Sequence, residues 1–75
     1  MRIYDCYVPR EDYVRAKDYT ILIYNKERKR FPKMADGAYE KYLARTIREE
    51  YRRHKGVKPL IQILKEYYEN VKKEG

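Results

Sequence analysis

The first third of the chain alternates short apolar runs with polar stretches. Residues 2–8, Arg-Ile-Tyr-Asp-Cys-Tyr-Val, are rich in aromatic and β-branched side chains, which favours a strand ending at Pro9. Residues 19–25, Tyr-Thr-Ile-Leu-Ile-Tyr-Asn, are apolar on both faces, as in a central strand covered by helices. Residues 28–31 could add a short edge strand. The pattern therefore predicts two or three strands, with residues 10–17 either a short helix or a turn-rich connection.

Two amphipathic helices are predicted to follow the strands. From residue 37 to 54 the apolar side chains recur at intervals of three and four, which is the spacing of one helix face. Asp36 can serve as the N-cap of this helix, and Gly56 suits the left-handed position that ends it. Pro59 can open a second helix over residues 59–72. Strands followed by helices predict an α+β fold, with the strands packed against a C-terminal helical hairpin.

The length of 75 residues predicts one small domain, residues 1–75. A core this thin rarely supplies more than about 3–5 kcal/mol, so the broad apolar face of residues 60–71 favours a homodimer that buries it. One cysteine, Cys6, cannot form an internal disulfide, and Asp5 interrupts the start too early for an apolar signal segment. The longest apolar run is far shorter than the roughly 18 residues of a membrane span. We therefore expect a cytoplasmic protein that does not associate with membranes.

The charge is concentrated in the middle of the chain. The whole sequence carries a net charge of +7, and residues 26–55 hold eleven Lys or Arg against five Asp or Glu, a net of +6. A local excess of this kind favours an anionic partner more than the same total spread evenly. The sequence has only one Gln and two Asn among many charged residues, which is typical of thermophilic proteins.

One face of the helix predicted over residues 37–54 carries much of the excess charge. Five cations spaced at intervals of four and three lie opposite the apolar stripe, and the acids are predicted to fall outside their band. Like charges at these spacings repel by a few tenths of a kcal/mol per pair, and nucleic-acid phosphates relieve that repulsion. The alternative is a solvated face whose long side chains shield the core. We call this set the cation ladder: Lys41, Arg45, Arg48, Arg52 and Lys55.

A second basic cluster lies just before the helix. On a hairpin loop it could contact a phosphate backbone, or it could protect an edge strand from pairing. Phe31 within this cluster, like most of the ten tyrosines, is predicted to pack in the core or at an interface more often than to stack on bases. The predicted contacts in the cluster are Arg28, Lys29, Arg30 and Lys33, next to Lys26.

Candidate chemistry for catalysis is sparse. His54 is the only histidine, and neighbouring cations would favour its neutral form, but a histidine at a helix end is more often a surface residue than a base. Cys6 is predicted to be a small core residue. Metal sites need several His, Cys or clustered acids, and phosphate loops need several glycines. We predict no catalytic residue, metal or cofactor.

The order of strand, helix, glycine turn and helix over residues 19–73 resembles the ribbon–helix–helix repressors. Residues 37–71 alone would also allow a helix–turn–helix. The predicted strand lacks the alternating polar side chains with which such a ribbon reads bases, so the resemblance assigns no family. The sequence favours a small nucleic-acid-binding protein, for DNA or RNA, such as a regulator from a virus, plasmid or thermophile. The alternatives are a protein-interaction module or inhibitor that docks on an acidic partner, and a metal-independent ribonuclease.

Overall fold

A computed structural model describes residues 1–74 and the side chains of residues 1–73. Within this part of the chain an antiparallel pair of short strands precedes three α-helices, which confirms a small α+β fold in which helices dominate. A 3-10 helix of three residues, Arg28–Arg30, joins the first two helices. The elements are β1 (Arg2–Ile3), β2 (Cys6–Tyr7), α1 (Arg10–Glu27), α2 (Asp36–Arg53) and α3 (Leu60–Glu74).

Residues 2–8 form a tight hairpin instead of the single strand that was predicted. The turn consists of Tyr4 and Asp5, whose φ angles of 54° and 65° match the left-handed two-residue turn that hairpins favour. Ile3 pairs with Cys6 across the strands, so both side chains share one face and are buried. A continuous strand would have placed these two residues on opposite faces, and the turn therefore lets the short segment cover the core.

Residues 19–25 are helical, so the prediction of a central strand is wrong. They form the second half of α1, in which Ala16 and Ile23, seven positions apart, are buried on one face. Ile21 and Leu22 remain 54% and 42% exposed, because the helix turns them away from the face that holds Ala16 and Ile23. A short apolar run does not distinguish a buried strand from a helix by periodicity alone. The acidic first turn after Pro9 begins an 18-residue helix that continues through the run.

Residues 28–31 do not form the predicted edge strand either. With residues 19–25 in a helix there is no neighbouring strand for them to pair with, and Arg28–Arg30 continue from α1 as a 3-10 helix. The backbone then turns, with the Phe31 amide donating to the Arg28 carbonyl at 3.1 Å and the Met34 amide to the Phe31 carbonyl at 3.0 Å. Asp36 is the first residue of α2 and not its N-cap.

The two C-terminal helices exist near their predicted bounds, but their pairing as a hairpin is not confirmed. α3 makes its most extensive contact with α1, including a ring contact between Tyr19 and Tyr68 with centroids 6.1 Å apart. Leu60, Ile63 and Leu64 of α3 are buried in the core. The apolar face that favoured a homodimer through residues 60–71 is therefore largely covered within one chain.

One acidic side chain lies inside the core, where the three helices meet. Glu27 at the end of α1 is only 6% exposed. Its Oε1 accepts hydrogen bonds from the hydroxyls of Tyr39 in α2 and Tyr67 in α3, both at 2.8 Å, and its Oε2 accepts from Tyr67 at 3.0 Å. Burial, and then the bond to Glu27, raise the pKa of Tyr39, which keeps this hydroxyl a donor. The network joins the C-terminal end of α1 to the first turn of α2 and to the middle of α3.

Candidate nucleic-acid interface

The cation ladder lies on the outer face of α2 because the opposite face is committed to the core. Tyr39, Leu43 and Ile47 are all buried, at the spacing of four that defines one side of a helix. The ladder residues on the other side are exposed, except Arg48, whose side chain is 34% exposed. From Lys41 to Arg52 the ladder extends for about 16 Å along α2, which is long enough to follow several phosphates of one strand.

Three arginines of the ladder come together in one surface depression. Arg45, Arg48 and Arg52 line a recess with a volume of about 480 Å³, beside Asp5 and Glu49. Arginine presents five N–H donors in a planar fork that matches the oxygens of a phosphate. The depression therefore brings donors from three side chains to one anion, whereas a line of separate cations would not.

Two carboxylates partly neutralise this depression. Glu49 accepts from Nε of Arg45 at 3.2 Å, so the prediction that the acids fall outside the cation band is wrong for this residue. Asp5, from the hairpin turn, lies 3.7 Å from Nη1 of Arg48. Exposed ion pairs of this kind contribute about 0–1 kcal/mol, so an incoming phosphate can compete with both carboxylates.

The C-terminal end of α2 carries the last ladder residue in a left-handed conformation. Lys55 and Gly56 have φ angles of 53° and 76°, which turn the chain out of the helix. Glycine fits this position without strain, as the sequence predicted, whereas lysine adopts it at a cost. Lys55 is exposed beyond the helix end, so the ladder residues that α2 itself holds on one face are Lys41, Arg45, Arg48 and Arg52.

Arg28 is a predicted contact whose guanidinium holds two backbone carbonyl oxygens of the protein itself. Its Nε donates to Oδ1 of Asp36 at 3.0 Å, and its two Nη atoms donate to the carbonyl oxygens of Phe31 and Met34. Arg28 therefore shapes the loop between α1 and α2. The remaining cations of this cluster are exposed: Lys26, Lys29, Arg30 and Lys33.

The same loop forms a second depression, which we call the loop depression. Phe31, Pro32 and Met34 line it, with Arg30 and Lys33 beside them, and its volume is about 480 Å³. Next to it, the ring of Phe31 contacts Tyr42 of α2 with centroids 5.5 Å apart.

Tyr42 is a candidate residue that the helical pattern did not distinguish from the other tyrosines. Tyr39, one turn earlier, is buried as predicted, but Tyr42 is 41% exposed. The rings of the two residues lie 6.2 Å apart, at the edge of the aromatic cluster that also contains Phe31. On the helix Tyr42 lies between the apolar stripe and Arg45. This position could have predicted its exposure from the sequence.

The remaining candidate side chains form no evident catalytic group. His54 is half-buried and its Nε2 lies 3.1 Å from Glu50, with which Arg53 also pairs at 3.3 Å. Cys6 is buried as predicted, and burial raises the pKa of its thiol, which disfavours the reactive thiolate. Among the side chains of residues 1–73, no group of three or more His, Cys, Asp or Glu is placed to hold a metal ion.

None of the helices in residues 1–74 combines the length and the apolar character needed to cross a membrane. Comparison with protein-family models, curated protein sequences and solved structures finds no match to this chain. The functional argument therefore depends on the surface of the molecule itself.

Proposed function

We propose that this chain is a small nucleic-acid-binding protein that acts by binding and not by catalysis. The cation ladder on α2 contacts phosphates, and the exposed cations of the loop before α2 provide a second contact. The observation that carries the proposal is the convergence of Arg45, Arg48 and Arg52 on one depression of a rigid helix face. The second contact comprises Lys29, Arg30 and Lys33, without Arg28, whose donors serve the loop.

The net charge of this surface supports a polyanion as the partner. Four ladder cations of α2 share one face with two nearby carboxylates, Asp5 and Glu49, which leaves a surplus of positive charge on this face of the helix. A polyanion gains affinity from such a surplus because it releases condensed counterions when it binds. A cytoplasmic location fits this role, since Cys6 is a free thiol buried in the core.

The apolar face of α3 no longer favours a protein partner. That face had suggested a homodimer, but its main apolar residues lie in the core of this chain. The exposed surface of α2 is polar and cationic. Such a surface suits the anionic groups of a partner and not an apolar groove. Phosphate recognition is therefore the function that this surface supports best.

Two adjacent arginines of α2 provide a matched test of the ladder. Arg52→Gln removes a ladder cation, whereas Arg53→Gln removes the same charge from the neighbouring side, where Arg53 pairs with Glu50. Arg52→Gln should weaken binding to all sequences and reduce the slope of log affinity against log salt by about 1. Arg53→Gln should leave the slope nearly unchanged.

The measurement is fluorescence anisotropy of a labelled oligonucleotide at several salt concentrations. Equal losses in the two variants would show that only net charge matters and would contradict the ladder. Absence of binding to any DNA or RNA at low salt would overturn the proposed function as a whole.

Removing the competing carboxylates should increase affinity. Asp5→Asn and Glu49→Gln each remove a negative charge that now faces an arginine, and Asn tolerates the left-handed conformation of residue 5. We expect each variant to bind roughly two- to fivefold more tightly, which corresponds to the modest strength of an exposed ion pair.

The control for this gain is Glu69→Gln, which removes the same charge from α3, where Glu69 lies 3.8 Å from Lys72. A gain in affinity cannot result from a damaged fold. It therefore complements the loss of affinity expected for Arg52→Gln. If Glu69→Gln raises the affinity as much as the other two, long-range charge and not the arginine depression determines binding.

A further inference from the structure

The loop depression is lined by both apolar and cationic residues. Phe31, Pro32 and Met34 line it, and Arg30 and Lys33 stand beside them. Cations alone would suit any anion, but they do not account for the apolar residues that line the same depression. The recess indicates a ligand with a flat apolar part and a charged part close together.

The recess is held in shape before any ligand arrives. Arg28 binds the carbonyl oxygens of Phe31 and Met34 at either end of the turn and pairs with Asp36 at the start of α2. Within the turn, the Met34 amide donates to the Phe31 carbonyl at 3.0 Å. A preorganised loop loses little conformational entropy on binding, which is the property of a recognition site.

Tyr42 links this recess to the cation ladder. Its ring contacts Phe31, and on α2 it follows Lys41 directly and precedes Arg45 by three positions, the spacing of neighbours on a helix. Because Tyr42 is 41% exposed, part of its ring is available to a ligand. The aromatic pair therefore lies between the cations of the loop and those of the ladder.

We infer that the loop depression, together with Tyr42, is a stacking site for an unpaired base of single-stranded nucleic acid. This inference rests on the proposed function and deepens it. Lys33 and the first ladder residues hold the phosphates on either side, while Phe31 and Tyr42 contact the base. Alternating cations and aromatic rings are the means by which proteins bind single strands without a strong sequence preference.

A duplex does not use this site, because its bases are already stacked and paired. Only a base that has left the stack can place its face against a ring. The same mixture of apolar and cationic groups also fits an anionic membrane, but an interfacial helix binds a membrane through an extended apolar face. The loop depression is a small recess beside two rings, which favours a single base.

The direct test places a fluorescent reporter at the site. The chain contains no tryptophan, so Tyr42→Trp introduces one indole whose emission reports on its own surroundings. Oligothymidine should quench this emission by stacking. An abasic phosphodiester of the same length and a blunt duplex should bind with much less quenching.

The matched control is Val14→Trp. Val14 is 69% exposed on the first half of α1, about 20 Å along that helix from its C-terminal end and outside both basic clusters. Its emission should not respond to the oligothymidine. If the two indoles respond equally, the quenching is non-specific and the inference fails.

Affinity gives a second and independent measure. Phe31→Leu and Tyr42→Leu should each weaken binding to oligothymidine roughly fivefold or more, and leave binding to the abasic phosphodiester unchanged. Equal losses on both probes would assign the rings a purely structural role and overturn the inference. Retained quenching in Tyr42→Trp would support stacking even if Phe31→Leu failed to fold.

The probes also separate this inference from the proposed function. If wild-type protein binds oligothymidine, abasic chain and duplex equally, and Arg52→Gln weakens all three, the ladder stands and the stacking site is wrong. If no oligonucleotide binds, both are wrong. If vesicles containing phosphatidylglycerol quench the indole at position 42 and oligothymidine does not, the site is a membrane contact and the inference is overturned.

Discussion

Replacing Tyr39 and Tyr67 together by Phe is expected to lower the free energy of unfolding by about 3–5 kcal/mol. Both hydroxyls donate to Glu27, whose carboxylate is buried where the three helices meet. Phe fills nearly the same volume as Tyr, so the loss comes from an acid that remains buried without these donors. A small domain has about 3–5 kcal/mol of stability in total, and the double variant should therefore be largely unfolded.

The single variants and a rescue separate this explanation from simple packing damage. Tyr39→Phe and Tyr67→Phe should each cost about 1.5–3 kcal/mol, the contribution of a hydrogen bond to a charged group. Adding Glu27→Met to the double variant should restore most of the stability, because an apolar side chain of similar size needs no donor.

Urea denaturation followed by circular dichroism measures each variant. Tyr68→Phe is the matched control, since Tyr68 lies next to Tyr67 and packs through its ring on Tyr19 and Lys72. It should change the unfolding free energy by less than about 0.5 kcal/mol. If Glu27→Met destabilises the double variant further, the network is not the source of the loss.

Arg28→Lys should lower the free energy of unfolding by about 2 kcal/mol although it keeps the charge. The guanidinium of Arg28 reaches Asp36 and the carbonyl oxygens of Phe31 and Met34 at once. Lysine has a single nitrogen and cannot hold these three acceptors in the same geometry. Hydrogen bonds from a charged donor are worth about 1.5–3 kcal/mol, and the change removes at least one of them.

The same substitution should also affect binding, since the loop depression depends on this turn. We expect Arg28→Lys to reduce affinity for oligothymidine more than affinity for an abasic chain. Arg53→Lys, at a side chain that is exposed, should alter neither stability nor binding by more than about 0.5 kcal/mol. An unfolding free energy equal to that of the wild type would show that the three contacts of Arg28 do not hold the loop.

The two variants act on different parts of the protein. The tyrosine network joins the helices, so its loss affects the whole fold and every binding measurement with it. Arg28 shapes one loop, so its loss is expected to lower the affinity for oligothymidine more than the affinity for an abasic chain. Comparing them shows whether the loop depression contributes to recognition beyond the general stability of the domain.

The sequence predicted α2 and α3 well, and α1 poorly. Tyr39, Leu43 and Ile47 recur at an interval of four, which fits a helix and not a strand. Gly56 marks where the helix ends. The run from Thr20 to Tyr24 is equally compatible with a strand and a helix when taken alone. In the structure this run is part of α1, which packs mainly against α3, and the local pattern does not contain that contact.

The candidate site also has features that follow from the local sequence and features that follow only from tertiary packing. The outward position of the cation ladder followed from helical periodicity, because burying one face of α2 leaves the other to solvent. The pairing of Asp5 with Arg48 depends on a hairpin turn more than forty positions away in the chain. The inward direction of Arg28 and the exposure of Tyr42 depend on where the loop and α2 meet.

By itself, then, the sequence determined the concentration of charge in residues 26–55 and the periodic face on which half of it lies. Both are local properties, since composition and a spacing of three or four residues require no distant contact. Only the tertiary structure decided that Glu27 is buried beneath two tyrosines, that Arg28 holds a loop, and that Tyr42 lies beside Phe31. Those outcomes depend on which elements pack together, and residues distant in the chain determine them jointly.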